Sequence, residues 1–103
     1  MAQTLLKVKN LGKFIKKHGE DPFISQTISK MLTYKIQKYE EEIEVLNREL
    51  TKFEGIYKKE SATFFKEFKA GKLGDDMDFI EWSSLYQMLH RLIEKKAELE
   101  GMK

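Results

Sequence analysis

The fold of this 103-residue chain is decided by residues 28–57, which read ISKMLTYKIQKYEEEIEVLNRELTKFEGIY. Apolar side chains recur in this stretch at steps of three and four residues, and from residue 36 onward they fit the a and d positions of three heptads. The pattern predicts one long amphipathic helix from about Ser25 to about Lys58. Its apolar seam consists of Ile36, Tyr39, Ile43, Leu46, Leu50, Phe53 and Tyr57.

A helix of this length needs a second long helix beside it. It would be about 50 Å long, whereas a compact domain of about 100 residues has a radius of gyration of about 13 Å. The seam is therefore expected to lie against a later helix of the same chain or against the same helix of a second subunit. We expect a homo-oligomer, most simply a dimer.

Two further helices are predicted after the long one. Ser61 is a suitable N-cap for a short aromatic helix, and Gly71 is well placed just after the end of that helix. A second long helix is predicted from Met77 to about Glu100, with the aspartate pair before it as candidate caps. The predicted fold class is therefore all-α: a long helix, a short aromatic helix and a second long helix that form an antiparallel coiled-coil-like hairpin.

The first 22 residues are expected to form a basic arm before a helical hairpin domain over residues 23–103. The turn Gly19-Glu20-Asp21-Pro22 interrupts any earlier helix, and it contains the only proline of the chain. The apolar residues of the arm fit a strand or a helix. We favour a short helix over Leu11–His18, preceded by an extended or helical segment. The arm carries five lysines before its first acid, namely Lys7, Lys9, Lys13, Lys16 and Lys17.

The sequence carries no motif of an enzyme. The chain has no cysteine, which excludes a disulfide framework, a thiolate metal site and a cysteine nucleophile. Neither histidine has the spacing of a zinc-binding helix, and no phosphate-binding glycine loop or nucleophile elbow occurs. We expect a non-enzymatic protein without a cofactor or metal. A cluster of carboxylates is interpreted as helix-start residues rather than as a metal site, namely Asp75, Asp76, Asp78 and Glu81.

Charge and hydropathy leave the class of partner open. The formal net charge is +2, which is too close to neutral to indicate nucleic acid by itself. No apolar run approaches the ~20 residues of a membrane-spanning helix. We expect a cytoplasmic protein with no membrane partner.

Aromatic side chains cluster around the short helix and the start of the last helix. Aromatic residues at helical spacing are commonly core residues, but tryptophan and tyrosine also dominate protein interfaces. Both interpretations stay open for this cluster. The candidate partner-binding residues are Phe64, Phe65, Phe68, Asp78, Glu81, Trp82 and Tyr86.

One set of residues within 28–90 carries a resemblance to known proteins, namely Tyr34-Lys35-Ile36, Glu49-Leu50, Lys52-Phe53-Glu54, Tyr57, Ser61, Phe64-Phe65, Phe68, the run from Gly71 to Trp82, and Leu85-Tyr86. In these residues the chain resembles a group of small uncharacterised archaeal and cyanobacterial helical proteins that are suspected of being the antitoxin half of toxin–antitoxin pairs. The resemblance implies a small protein that binds and neutralises a partner protein, and it implies no catalytic residue.

The alternative function is nucleic-acid binding by the basic arm. A strand at Lys7-Val8-Lys9, followed by a short helix and the long helix, resembles the ribbon-helix-helix fold of many DNA-binding antitoxins. The lysines of such an arm supply affinity for phosphate without sequence specificity. Our preferred function is a non-enzymatic protein-protein interaction module that is antitoxin-like.

Overall fold

The computed structural model describes residues 2–101, and these residues form four helices and no strand. The helices are α1 (Ala2–His18), α2 (Pro22–Tyr57), α3 (Ser61–Lys69) and α4 (Met77–Glu100). The predicted all-α fold class is confirmed.

Helix α2 begins three residues earlier than predicted. The Oδ1 atom of Asp21 accepts a hydrogen bond from the Ile24 amide at 3.1 Å, so Asp21 caps the helix and Pro22 is its first residue. Proline is favoured at this position because it lacks an N–H that would need a partner and its φ angle is already helical. Pro22 therefore starts α2 instead of preceding it.

The start of α3 also differs from the prediction. Ser61 is the first helical residue and not the cap, and the cap position belongs to Glu60, whose side chain makes no capping hydrogen bond. The Ser61 amide instead donates to Oε2 of Glu54 at 2.9 Å. A side chain from α2 thus replaces the local cap, which leaves the Ser61 hydroxyl available for another partner.

The end of α3 confirms the predicted role of Gly71. This glycine has a φ of 76°, and its amide donates to the Phe68 carbonyl at 3.1 Å. The next amide, that of Lys72, donates to the Glu67 carbonyl at 3.1 Å. These two bonds form a Schellman motif, which requires a left-handed residue that glycine adopts without strain.

The chain divides into two compact units, Met1–Thr33 and Tyr34–Lys103, here named unit 1 and unit 2. The division falls inside α2, whereas the sequence places it at residue 22. Unit 1 contains α1 and the beginning of α2, and unit 2 contains the rest of α2 together with α3 and α4.

Unit 2 is the predicted antiparallel hairpin with an elbow. Tyr57 of α2 contacts Asp78 near the start of α4, and Glu40 of α2 contacts Lys96 near the end of α4, so the two helices run in opposite directions. Helix α3 packs into the bend between them. The core consists of Leu46, Leu50, Phe53, Phe64, Trp82 and Leu89.

Unit 1 contains a longer first helix than the sequence predicts. Helix α1 extends back to Ala2, so of the two forms left open for the segment before Leu11, extended or helical, the structure shows the helical one, and the alternative strand at Lys7-Val8-Lys9 is wrong. Three residues connect α1 to α2, and Gly19 in this connection has a φ of 86°. No residue described in unit 1 is buried.

Candidate partner-binding site

The site considered first is the elbow, which we define as the end of α2, all of α3 and the start of α4. Its centre is Trp82, whose side chain is completely buried. The Trp82 ring stacks on Phe64 with a centroid distance of 3.8 Å and an interplanar angle of 3°, and Phe64 is also completely buried. A partner protein has no access to either ring, so the core interpretation is the one that fits Phe64 and Trp82.

The polar group of the buried Trp82 side chain has a hydrogen-bond partner. Its indole Nε1–H donates to Oγ of Ser61 at 2.9 Å, and the Ser61 residue is itself buried. A buried indole N–H without an acceptor would destabilise the fold. Ser61, which the sequence predicts as the cap of α3, is therefore the acceptor for the buried tryptophan.

A second hydrogen bond joins α2 to α4 at the edge of the elbow. The Tyr57 hydroxyl donates to Oδ2 of Asp78 at 2.6 Å. This hydrogen bond to the carboxylate, reinforced by partial burial and by the negative charges of Asp78 and Asp76, raises the pKa of Tyr57 to about 12. Oδ2 of Asp78 is thus engaged in a contact within the chain, and the residue is half-buried.

The other acids of this segment differ in their surroundings. Asp76 caps α4, and its side chain accepts a hydrogen bond from the Asp78 amide at 3.4 Å. Glu81 is exposed on α4. Within residues 2–101, no group of three or more histidine, cysteine or acidic side chains has the arrangement of a metal site.

An aromatic row lies on the surface of the elbow. Phe65 of α3 and Tyr86 of α4 are half-buried, and their ring centroids lie 4.9 Å apart. His90 continues the row with its ring 4.5 Å from that of Tyr86, and the Lys69 ammonium lies 5.6 Å from the centre of the Phe65 ring. The row thus offers accessible aromatic surface beside a positive charge.

The predicted α2 seam is used largely within the chain. Its three buried members, Leu46, Leu50 and Phe53, lie in the core with residues of α3 and α4. The half-buried Ile43 and Tyr57 pack against the same core. The sequence left two partners open for this part of the seam, a later helix of the same chain or the same helix of a second subunit. The structure shows the later helices of the same chain.

A second accessible surface was not predicted. A groove of about 230 Å³ lies between α2 and α4 and is almost entirely apolar. Val45 and Met88 are about half exposed there, and Val45 does not belong to the predicted seam of α2. The groove exists because a pair of helices encloses its apolar residues incompletely, and the short α3 does not reach this end of the pair.

The lysine side chains of unit 1 follow the turns of α1. At about 100° per residue, Lys9, Lys13, Lys16 and Lys17 fall within about 100° of the helix circumference, whereas Lys7 lies apart from them. Helix α1 contains no acid. These four residues therefore give α1 a basic face, which is helical and not part of a ribbon.

Comparison with protein families, with curated proteins and with solved structures gives no match for this chain. No helix within residues 2–101 is long and apolar enough to cross a membrane. Function is therefore inferred from the geometry of the two units.

Proposed function

We propose that the protein is a non-enzymatic interaction module that binds another protein through the aromatic row of the elbow. The observation that carries the proposal is the pair Phe65 and Tyr86, which remains accessible while the neighbouring Phe64 and Trp82 are completely buried. Aromatic side chains are strong anchors of interfaces because they contribute a large apolar area with few rotatable bonds.

The structure around the row supports this function by its rigidity. Phe65 projects from a nine-residue helix that is fixed by the stacking of Phe64 on Trp82 and by the Glu54 carboxylate at its first amide. A surface that is already ordered loses little conformational entropy when it binds. The elbow therefore suits recognition of a protein surface by rigid docking.

The test is affinity capture from a lysate of the source cells with the wild-type chain, Tyr86→Ala, and the matched control Tyr34→Ala. Tyr34 is an exposed tyrosine of the same unit, so its removal changes the surface without touching the row. We expect a partner identified by mass spectrometry to bind wild type and the control, and to lose at least about tenfold in affinity with Tyr86→Ala, equivalent to 1.4 kcal/mol or more. Equal binding of all three proteins would contradict the assignment of the row.

The narrower proposal is that the partner is a toxin, as the resemblance of residues 28–90 implies. In that case the captured protein expressed alone arrests growth, and co-expression with the wild-type chain restores growth. Tyr86→Ala is expected to restore growth less well than Tyr34→Ala. A captured protein with no effect on growth would separate the antitoxin proposal from the interaction module, which would stand.

The second candidate function is nucleic-acid binding by α1, and the observation that favours it is the basic face. Four phosphate contacts on duplex DNA would make the logarithm of the affinity fall with the logarithm of salt concentration at a slope of about −3.6. Replacing the lysines of the basic face with glutamine is expected to remove this slope, and replacing four lysines of unit 2 is expected to keep it. The control positions are Lys66, Lys69, Lys72 and Lys95.

A further inference from the structure

Unit 2 exposes large apolar side chains in a regular pattern. Of the eight that are exposed within residues 34–101, six recur at steps of eleven residues along the two long helices. Eleven residues make three turns of helix with a drift of only about 20°, so the three residues on each helix form one straight line. The six residues, which are between 37% and 78% exposed, are Tyr34, Val45 and Ile56 of α2 and Met77, Met88 and Leu99 of α4.

The two lines lie side by side on one face of the hairpin. Val45 and Met88 line the same apolar groove. The contacts that join α2 to α4 near both ends of the hairpin fix the register of the two helices, and in this register each α2 member lies within one helical turn of an α4 member. From the elbow to the open end of the hairpin, the level pairs are Ile56 with Met77, Val45 with Met88, and Tyr34 with Leu99.

Helix α3 packs on the opposite side of the hairpin. Glu54, whose carboxylate binds the first amide of α3, lies about 180° around α2 from Val45. Tyr86, whose ring contacts Phe65 of α3, lies about 160° around α4 from Met88. We therefore name the six exposed residues the back face of unit 2.

We propose that a second copy of this chain covers the back face, so that two hairpins form a four-helix bundle with α2 of each copy over α4 of the other. The back face extends along 22 residues of each helix, roughly 33 Å, and across two helices, roughly 20 Å. Two copies would therefore bury about 1,300 Å² in total, which lies within the size range of specific interfaces.

The charges between the apolar positions exclude one way of pairing two copies. If α2 packed antiparallel against α2 of the partner with Val45 at the centre, Lys38 would meet the partner's Lys52, and Glu41 would meet the partner's Glu49. Like charges that face each other across an interface oppose association. Two copies are therefore not expected to pair through α2 alone.

The same charges favour packing of α2 over the partner's α4. The register that pairs the apolar positions places Lys52 within one turn of the partner's Glu81, and Glu41 within one turn of the partner's Lys95. Lys38 is paired with Glu41 of its own chain, with 3.6 Å between the charged atoms. A twofold interface requires a surface that complements itself, and the two helices of the back face carry complementary charges.

The test is the mass in solution, measured by sedimentation equilibrium over a range of protein concentrations. Wild type is expected to have twice the mass of the chain. Met88→Glu is expected to raise the dissociation constant of the dimer at least about tenfold, because the interface would bury an unpaired charge. The matched control is Ile93→Glu, since Ile93 is an almost equally exposed residue on the other side of α4, and the dimer should remain intact.

An exchange of charges tests which helices meet. Val45→Glu alone should weaken the dimer as Met88→Glu does. Val45→Glu combined with Met88→Lys should restore the dimer, because each new acid would lie beside a new base on the partner's α4. The matched control, Val45→Glu combined with Met88→Glu, should be monomeric. A monomeric Val45→Glu/Met88→Lys variant would contradict the packing of α2 over α4.

The back face and the aromatic row are separable by experiment. Tyr86→Ala should keep the dimer and lose the captured partner, whereas Tyr34→Ala should weaken the dimer and keep the partner. The inference is therefore independent of the proposed function. It moves the expected dimer contact from the α2 seam to the back face.

Three results would overturn the proposal: a wild type with the mass of one chain at every concentration, a dimer that Met88→Glu leaves intact, or a dimer that Ile93→Glu disrupts equally. Trp82 is the only tryptophan and lies in the core of unit 2, so its unchanged fluorescence shows that each variant is folded. If wild type is monomeric and Met88→Glu loses the partner that wild type captures, the back face belongs to that partner instead of a second copy.

Discussion

The two units use similar apolar residues to different effect. Unit 2 brings three helices together around Trp82 and Phe64, and both rings are completely removed from solvent. Unit 1 has two helices that also carry apolar side chains, yet none of its described residues is buried. The difference shows that amphipathic periodicity specifies a helix and a face, whereas the complete burial of large rings occurs where a third helix packs against the other two.

The largest change in the free energy of unfolding is expected from substitution of Trp82. Trp82→Ala should lower the free energy of unfolding by about 3–5 kcal/mol, because it removes the central ring and leaves a cavity. Phe23→Ala in unit 1 removes another large aromatic side chain, but one that is 76% exposed, and it should change the stability by less than about 0.5 kcal/mol. Urea denaturation followed by circular dichroism measures both, and equal effects would contradict the contrast between the units.

A smaller effect is expected at the acceptor of the buried indole. Ser61→Ala should cost about 1–3 kcal/mol because the Trp82 Nε1–H would remain buried without a partner. Ser84→Ala is the matched control, since Ser84 is an exposed serine of α4. The intensity and wavelength of Trp82 fluorescence report on the same site. Wild-type stability in Ser61→Ala would show that the hydroxyl is dispensable.

The cap of α4 should contribute less. Asp76→Ala is expected to lower the stability by about 1 kcal/mol, because the first turn of α4 would lose its side-chain acceptor. Asp75→Ala serves as the control, since Asp75 is exposed and precedes the cap. Thermal denaturation measures the stability of both variants. A larger loss of stability with Asp75→Ala than with Asp76→Ala would contradict the assignment of Asp76 as the cap.

The smallest effect is restricted to high pH. Because the pKa of Tyr57 is raised to about 12 from its ordinary value of 10.0, its hydrogen bond to Asp78 contributes stability that is fully present below pH 10. This contribution is lost as the pH rises through about 12. The stability difference between wild type and Tyr57→Phe should therefore shrink between pH 10 and pH 12, and a constant difference would contradict the shift.

The elements of unit 2 could be predicted well from the sequence. The heptads located α2 to within three residues at its start and one at its end, and the start of α4 at Met77 was correct. Helix α1 was less certain because its residues fit two periods. A strand needs a partner strand for stability, and the described chain offers none.

The exposure of individual aromatic residues could not be predicted in the same way. Phe64 and Phe65 are neighbours about 100° apart on α3, and the sequence does not say which one faces Trp82. Trp82 and Tyr86 share one face of α4, and both contact α3: Phe64 stacks on the Trp82 ring, which is completely buried, whereas Phe65 lies against the Tyr86 ring, which stays half-buried. The burial of Trp82 and the accessibility of Tyr86 therefore depend on how α3 is placed against α4.

The two hydrogen bonds of the elbow also constrain where the chain tolerates insertions. The bond between Tyr57 and Asp78 and the bond between Ser61 and Trp82 each join residues that are 21 positions apart. The two positions that precede α4, Tyr57 and Ser61, are four residues apart, and so are Asp78 and Trp82 on α4. On α4 that spacing is one turn of helix. The connection between α2 and α3 must match it, so one added residue there would displace one bond relative to the other. The connection between α3 and α4 lies within both of the chain segments that these hydrogen bonds close. Lengthening this connection therefore changes only the entropy cost of closing the two segments.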